Sequence, residues 1–477
     1  MTCPDAGARP TSTRPVEIRS FPVAELGNAA HVVIERHQGV AVVIDPVRDV
    51  APYLDALDST PGRPVRLAWA LETHVHNDFV SGARELVGAA GARLGASGHA
   101  GLRYPYERLG DGDELELGAW RLRVLATPGH TPEHVAYLLV DPAGKATALF
   151  SGGALMVGTA ARTDLFGPAL SWRFAQDLQR SLKDKILALP DDVAIYPTHG
   201  SGSFCGAGAG DAVSTTIGAE RRANPLATAA TSRQFAARAL TAGPYPDYYA
   251  RMRSLNQAGV ALLGLEPSRP PALSIEELDV WAAQGALVLD VRPAAAFRAG
   301  HLPASVAVGA DGNLSGWVGW LTGPERPLVL VADAGSGGAE QVEEAVRQLA
   351  RIGYDRITGV LAGLDAWAAA GRPLVAYETI SAATLAKRLD AGEVLAVVDV
   401  REAAEWHAGH VPGSVNLPAH AIPQAVLTLP HEVPLAVHCG HDYRATLGAS
   451  LLERSGYGRL SVLDDGWDGW AALPDMP

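Results

Sequence analysis

Over the first two hundred residues, short apolar runs alternate with longer stretches in which apolar positions recur every three or four residues. His31 to Glu35, Val40 to Ile44, Arg121 to Ala126 and Val135 to Val140 read as strands, since they are short, rich in β-branched side chains and bounded by turn formers. Trp172 to Leu189 reads as a helix. Such alternation predicts a layered α/β domain over residues 16–265. Residues 200–210 are glycine-rich, the polar stretch to Leu265 predicts further helix, and Glu266-Pro267-Ser268-Arg269-Pro270-Pro271 reads as a linker.

Beyond that linker the pattern repeats. Leu289-Asp290-Val291-Arg292 followed by Ala299-Gly300-His301-Leu302-Pro303 returns as Val398-Asp399-Val400-Arg401 followed by Ala408-Gly409-His410-Val411-Pro412. Gly363-Leu364-Asp365-Ala366-Trp367 returns as Gly466-Trp467-Asp468-Gly469-Trp470. Each copy, residues 272–376 and 377–477, alternates apolar strands such as Leu328 to Val331 and Leu435 to Val437 with helices. The repeat therefore predicts two small parallel α/β sheets derived by duplication.

Length and composition fit this division. A chain of 477 residues exceeds one ordinary core, and about 150 residues per domain gives roughly three. With 48% hydrophobic and 19% charged residues each is globular, while residues 1–15 read as a disordered tail. A net charge of -13 gives no electrostatic reason to expect nucleic acid or anionic membrane as partner. No run is long and apolar enough to span a bilayer, and the beginning lacks an apolar signal core, so the expected location is cytoplasmic. Cys3, Cys205 and Cys439 are widely spaced and odd in number, which argues for reduced thiols.

Candidate chemistry concentrates in two places. After the apolar run Val65 to Leu71, residues His74, His76 and Asp78 stand at alternate positions, and on extended backbone such residues project to one face. Two imidazoles and a carboxylate there suit zinc, iron, copper or nickel. Thr127-Pro128-Gly129-His130-Thr131-Pro132-Glu133-His134, Arg162-Thr163-Asp164 and Pro197-Thr198-His199-Gly200 add further polar groups after strands. In the last repeat Val437-His438 ends a strand and leads into Cys439-Gly440-His441-Asp442-Tyr443-Arg444-Ala445 before a helix. A strand-to-helix loop aims successive N–H groups at one point, so Gly440, His441, Asp442 and Tyr443 form a cradle for a Cys439 thiolate or its persulfide. Arg444 adds a cation that steers sulfur oxyanions.

The Asp-Val-Arg, Gly-His-Val-Pro-Gly-Ser, Cys-to-Arg loop and Gly-x-x-x-Trp elements resemble a rhodanese, a family that carries sulfane sulfur on a cysteine persulfide. In the first copy Ala332 stands where Cys439 does and Gly337 where Arg444 does, so that copy resembles an inactive rhodanese. From about residue 16 to 225 the chain resembles the metallo-β-lactamase fold, an αββα sandwich. Its Glu-Thr-His-x-His-x-Asp, Thr-Pro-Gly-His-Thr-Pro-Glu-His and Arg-Thr-Asp motifs are most similar to those of persulfide dioxygenases.

The resemblance implies one iron(II) per chain, with zinc as the other metal of this fold. It makes His74 and His130 the histidine ligands and places Gly153, in Ser151-Gly152-Gly153-Ala154-Leu155, where the family has its ligand aspartate. Phe79 replaces the histidine that usually follows Asp78, which removes a ligand of a second metal. Either His76 joins His74 and His130, with Asp78 or a water supplying oxygen, or the pocket keeps no metal and serves as a binding scaffold. Arg162 and His199 are expected to bind substrate, with a salt bridge of Arg162 to Asp164 or a neighbour as the alternative, and Cys205 reads as a small buried thiol near the pocket. The implied partners are a low-molecular-weight thiol persulfide, sulfite and thiosulfate, with a homo-oligomer also open. The implied function is sulfide and persulfide metabolism, in which Cys439 passes sulfur on; the alternative within the fold is a glyoxalase-like thioester hydrolase.

Overall fold

A computed structural model describes residues 15–60, 64–206, 210, 212–240, 243–265, 268–425 and 429–474. The expected tail, apart from Pro15, lies outside these residues, as does Cys3. The chain forms two compact units, one reaching Glu266 except for Pro246–Tyr248, the other holding those three residues and everything from Pro267 on.

The first unit contains two six-stranded sheets. One comprises β1 (Val16–Val23), β2 (Asn28–Glu35), β3 (Val40–Ile44), β4 (Arg66–Leu71), β5 (Arg93–Ser97) and β6 (Glu107–Leu109), side by side in that order. The other comprises β7 (Glu114–Leu117), β8 (Trp120–Ala126), β9 (Val135–Val140), β10 (Ala146–Gly152), β11 (Ala194–Pro197) and β12 (Thr215–Thr216). β9 shows why the sandwich forms. Val135, Tyr137 and Leu139 join Val42, Ile44 and Trp69 of the first sheet in the inter-sheet core, whereas Ala136, Leu138 and Val140 pack outward on Ala175, Leu178 and Leu182. Both faces are covered, so the strand is apolar throughout rather than alternating. The αββα architecture expected from the sequence is thus the observed one.

The expected helix at Trp172 to Leu189 starts earlier, running Pro168–Ser181 and then through a π-helical turn at Leu182–Ile186. Its start is set by Pro168 after Gly167, since proline needs no N–H partner in the first turn. The polar stretch that follows supplies helices Ile217–Ala223, Ser232–Ala239 and Tyr249–Ala258. Among the described residues no helix is long and apolar enough to cross a membrane.

The second unit carries the duplication. Its first sheet has β13 (Leu287–Asp290), β14 (Val306–Ala307), β15 (Leu328–Ala332) and β16 (Ile357–Ala362) in the order β14-β13-β15-β16. Its second has β17 (Glu378–Ile380), β18 (Ala396–Asp399), β19 (Val415–Asn416), β20 (Leu435–His438) and β21 (Leu460–Leu463) in the order β17-β21-β20-β18-β19. Read from the other edge, the second order reproduces the first and adds one strand, and all pairs are parallel. The repeated Asp-x-Arg signature is a buried ion pair in both copies. Arg292 meets Asp290 at 2.6 Å and Arg401 meets Asp399 at 2.7 Å, and each guanidinium also donates to a loop carbonyl, Gly300 or Gly409. These four residues tie strand end to helix end, a framework role.

Leu178 is fully buried between the second sheet and its covering helices. Leu178→Ala should therefore cost about 2–5 kcal/mol of the first unit's stability, read as a lower urea midpoint. A loss below about 1 kcal/mol would show that this layer is not packed as described.

Candidate functional site

Four loops at one end of the sandwich build the first site: those after β4, β8, β10 and β11. They carry His74, His130, Gly153 and His199, and all three imidazoles are buried. Their outward nitrogens are fixed by acceptors. Thr73 Oγ1 donates to Asp45 at 2.7 Å, so it can only accept from His74 Nδ1, 2.9 Å away. His130 Nδ1 donates to the Arg162 carbonyl at 2.7 Å. His199 Nδ1 faces Asn28 Oδ1 at 2.9 Å and Asp78 Oδ2 at 3.1 Å, and Asn28 in turn donates to Asp78. Each ring is thereby the Nδ1–H tautomer, leaving Nε2 with an unused lone pair.

These lone pairs converge. Nε2 of His74 and of His199 lie 3.3 Å apart, and with His130 they form a group whose ligand atoms all fall within 4.8 Å of one another. Burial holds the His74 imidazole well below its usual range and His130 down to about 3, so neither relieves the crowding by taking a proton. Three imidazoles facing one point are a donor set for a divalent metal, and the residues present fit one.

His76 lies elsewhere in the network. Its Nε2 is 3.2 Å from Asp45 Oδ1 and 3.0 Å from Glu72 Oε2, and against the lowering effect of burial these carboxylates push it up to about 10. Its ligand atoms group with Asp45 and His74, or with Asp78 and His199, but not with His130. His74 and His130 thus come together with His199, expected to bind substrate, rather than with His76 and Asp78. Asp45 escaped the sequence reading altogether. It directly follows β3 with φ 50°, takes N–H and O–H from Thr73 and O–H from Thr198, and His76 holds its carboxyl down at about 2 against the opposing effect of burial. The apolar run ending at Ile44-Asp45-Pro46 was the available signal.

Two neighbours restrict the pocket. A Cβ at Gly153 would lie 2.7 Å from the His130 ring and 2.9 Å from Ala161 Cβ, so the packing leaves no room for a carboxylate there. His134 pins that backbone by accepting the Gly153 N–H at 3.0 Å. Phe79 stacks on His76 with centroids 4.2 Å apart, putting hydrocarbon where a second metal's ligand would stand. Arg162 is committed inside the protein: it is bidentate to Asp164, donates to the Phe204 and Gly243 carbonyls, and lies over the Tyr245 ring. Its backbone carbonyl, not its charge, reaches the site. Cys205 is buried with Sγ 3.6 Å from Asp78.

The second site is the loop after β20. Cys439 Sγ receives the backbone N–H groups of His441, Arg444 and Ala445. The loop keeps this shape because its carbonyls turn the other way: Trp467 N donates to Cys439 O at 2.7 Å and Asp468 N to Gly440 O at 3.3 Å. Gly466, at φ +51°, makes that approach feasible, since a Cβ would fall 2.4–2.6 Å from three of those carbonyl oxygens. This is the physical content of the repeated Gly-x-x-x-Trp element. Arg444 is bidentate to Glu405 at 2.7 and 2.8 Å, the His441 ring is exposed, and Asp442 and Tyr443 point into the first repeat. Cys439 is only 2% exposed, and burial pushes the thiol up, outweighing Arg444 and the three amides.

Fold and sites together define a metal-pocket αββα sandwich joined to a duplicated parallel-sheet module with one cysteine loop. The family model for the metallo-beta-lactamase superfamily matches residues 26–199, and that for the rhodanese-like domain matches 274–370 and 381–473. The chain belongs to the metallo-beta-lactamase superfamily and carries two rhodanese-like domains. It is 32% identical over 197 residues to the mitochondrial persulfide dioxygenase of Homo sapiens, spanning 41% of this chain and 69% of that one. It is 30% identical over 213 residues to hydroxyacylglutathione hydrolase of Acidiphilium cryptum, spanning 42% of this chain and 86% of the relative. Among solved structures, a metallo-beta-lactamase from Staphylococcus aureus superposes with a TM-score of 0.65 at 28% identity, covering 73% of this chain and all of that one.

A thiol raised by burial is protonated at neutral pH and gains reactivity only as pH climbs through its elevated value. Alkylation followed on the peptide containing Cys439 should therefore reach half-maximal rate above the usual thiol value of about 8.5, and Arg444→Ala should move the midpoint higher still. A midpoint below the usual value would contradict this balance.

Proposed function

We propose that the chain is a two-site enzyme of sulfide and persulfide metabolism, in which the first unit oxidises a low-molecular-weight thiol persulfide and Cys439 transfers sulfane sulfur. The observation that carries the reading is the pairing, on one polypeptide, of three convergent imidazole lone pairs with a cysteine ringed by amide donors. His74, His130 and His199 are the residues that would hold one iron(II), with zinc the other metal suited to three imidazoles. When bound, iron supplies the redox chemistry by which dioxygen and water convert the outer sulfur of a persulfide to sulfite, releasing thiol and two protons.

The chain's own residues hold the set in place. Thr73, Asn28 and the Arg162 carbonyl fix the three ring orientations, and Asp45 organises Thr73, His76 and Thr198 from beneath. At the other site the Cys439 thiolate attacks the outer sulfur of R–S–SH. The old S–S bond breaks, the leaving R–S⁻ takes up the proton of the outer sulfur and departs as R–SH, and the new bond leaves a Cys439 persulfide anion whose charge the three amides stabilise. Sulfite then attacks the terminal sulfur, forming thiosulfate and returning the Cys439 thiolate. Having both reactions on one chain couples production of sulfite, the sulfur acceptor, to the Cys439 persulfide that donates to it. Relatives named as hydrolases make a thioester hydrolase the competing reading, and Phe79 on His76 counts against its two-metal form.

Metal analysis and two substitutions test this. Purified protein should carry about one iron per chain and consume oxygen on addition of glutathione persulfide, and His199→Ala should lower metal content at least about tenfold. An empty pocket with intact sulfur transfer would leave the first unit a scaffold, and zinc with thioesterase activity would favour the hydrolase. Cys439→Ala should abolish transfer to sulfite while oxygen uptake persists; surviving transfer would refute the assignment of the nucleophile.

A further inference from the structure

The first rhodanese-like repeat has no thiol, yet it is built against the active loop of the second. Arg298, on its helix Ala294–Ala299, has a side chain only 8% exposed. Its Nη1 donates to Asp442 Oδ2 at 3.1 Å and to Thr446 Oγ1 at 2.9 Å. Asp442 is the N-cap residue of helix Tyr443–Arg454, and Thr446 lies in that helix's first turn. The next residue of the loop, Tyr443, crosses the same boundary: its hydroxyl donates to Gly309 O at 3.4 Å and its ring lies on Gly312. The stretch between Cys439 and its helix is thus gripped from the neighbouring repeat, while Trp467 and Asp468 hold the loop's carbonyls from its own.

Comparison of the two copies singles Arg298 out. It precedes Ala299-Gly300-His301, and the residue preceding Ala408-Gly409-His410 is His407, whose ring is exposed. A cation at this position is therefore not part of the framework common to both repeats, as the Asp-x-Arg pairs are. Burying a guanidinium is costly unless it is paired, and here the partner is a residue of the sulfur-carrying loop.

We infer that Arg298 is a positioning residue for sulfur transfer, by which the thiol-less repeat locks Asp442 and the start of helix Tyr443–Arg454 so that the amides of His441, Arg444 and Ala445 stay aimed at Cys439 Sγ. This rests on Cys439 being the sulfur carrier. The amides act on charge at the transferred sulfur, so their misalignment lowers turnover more than donor affinity.

The test uses the full chain with glutathione persulfide as donor and sulfite as acceptor. Arg298→Met keeps most of the side-chain volume and removes the charge; kcat should fall at least tenfold with KM for the donor within threefold. Asp442→Asn approaches the same contact from the other side, and added to Arg298→Met it should cost less than a further twofold, because the shared interaction is already gone. Tyr377→Phe deletes a hydrogen bond to Glu453 at the far end of the same helix and should change kcat less than twofold. The inference is overturned if folded Arg298→Met retains kcat within threefold, if the Arg298 and Asp442 losses are additive, or if Tyr377→Phe loses as much. Should Arg298→Met fail to fold, Asp442→Asn decides alone, an unchanged kcat refuting the claim. Wild-type protein that transfers no sulfur would instead sink the reading of Cys439, and this inference with it.

Discussion

Three imidazole lone pairs aimed at one buried point repel one another, and the first unit is arranged to keep them there. Each ring has its Nδ1–H engaged by an acceptor from a different part of the chain: a threonine beside the histidine, a carbonyl two strands away in sequence, and an asparagine at the start of β2. Asn28 begins β2 and Thr73 follows the end of β4 by two residues, so the packing of the sheets places both, while the Arg162 carbonyl comes from the loop after β10. The pocket is thus a consequence of sheet geometry, and its crowding makes sense as preparation for a cation.

The second unit solves a different problem with similar means. A cysteine in a strand-to-helix loop has amide donors on one side only if the loop's carbonyls find partners on the other. Trp467 and Asp468 supply those partners within the repeat, with Gly466 allowing the close approach, and the thiol-less copy supplies a grip on Asp442 and Tyr443. The copy with Ala332 in place of a thiol is thus a domain whose helix end faces its sibling's loop. Burial still outweighs the cradle at the Cys439 thiol, although three amides and Arg444 act to lower it.

Much of this was legible in the residue pattern because it is local. Apolar strands, the duplicated Asp-x-Arg and Gly-x-x-x-Trp elements, the Cys439 loop and the histidines after strands each announce themselves within a few positions. What the pattern could not carry was direction. Alternation puts His74, His76 and Asp78 on one face of an ideal strand, but β4 ends at Leu71 and the motif lies in a loop, where Asp45 and Glu72 draw His76 away. His199, with only Pro197-Thr198 to recommend it, acquires its place through Asn28, far off in sequence. The sequence left Arg162 open between a substrate anchor and a salt bridge to Asp164; the structure has the salt bridge, and the carbonyls of Phe204 and Gly243 that also hold it are distant in sequence. Arg298 was invisible for the same reason: its partner lies in the other repeat.

The account turns on which nitrogens face the pocket. Metal-edge X-ray absorption on iron-loaded protein, compared with the same sample of His199→Ala and of His76→Ala, addresses this directly. Three histidine nitrogens should surround the metal at about 2.0–2.2 Å, with one lost in His199→Ala and none in His76→Ala. A shell that keeps its histidine count without His199, or loses one with His76, would contradict the arrangement described.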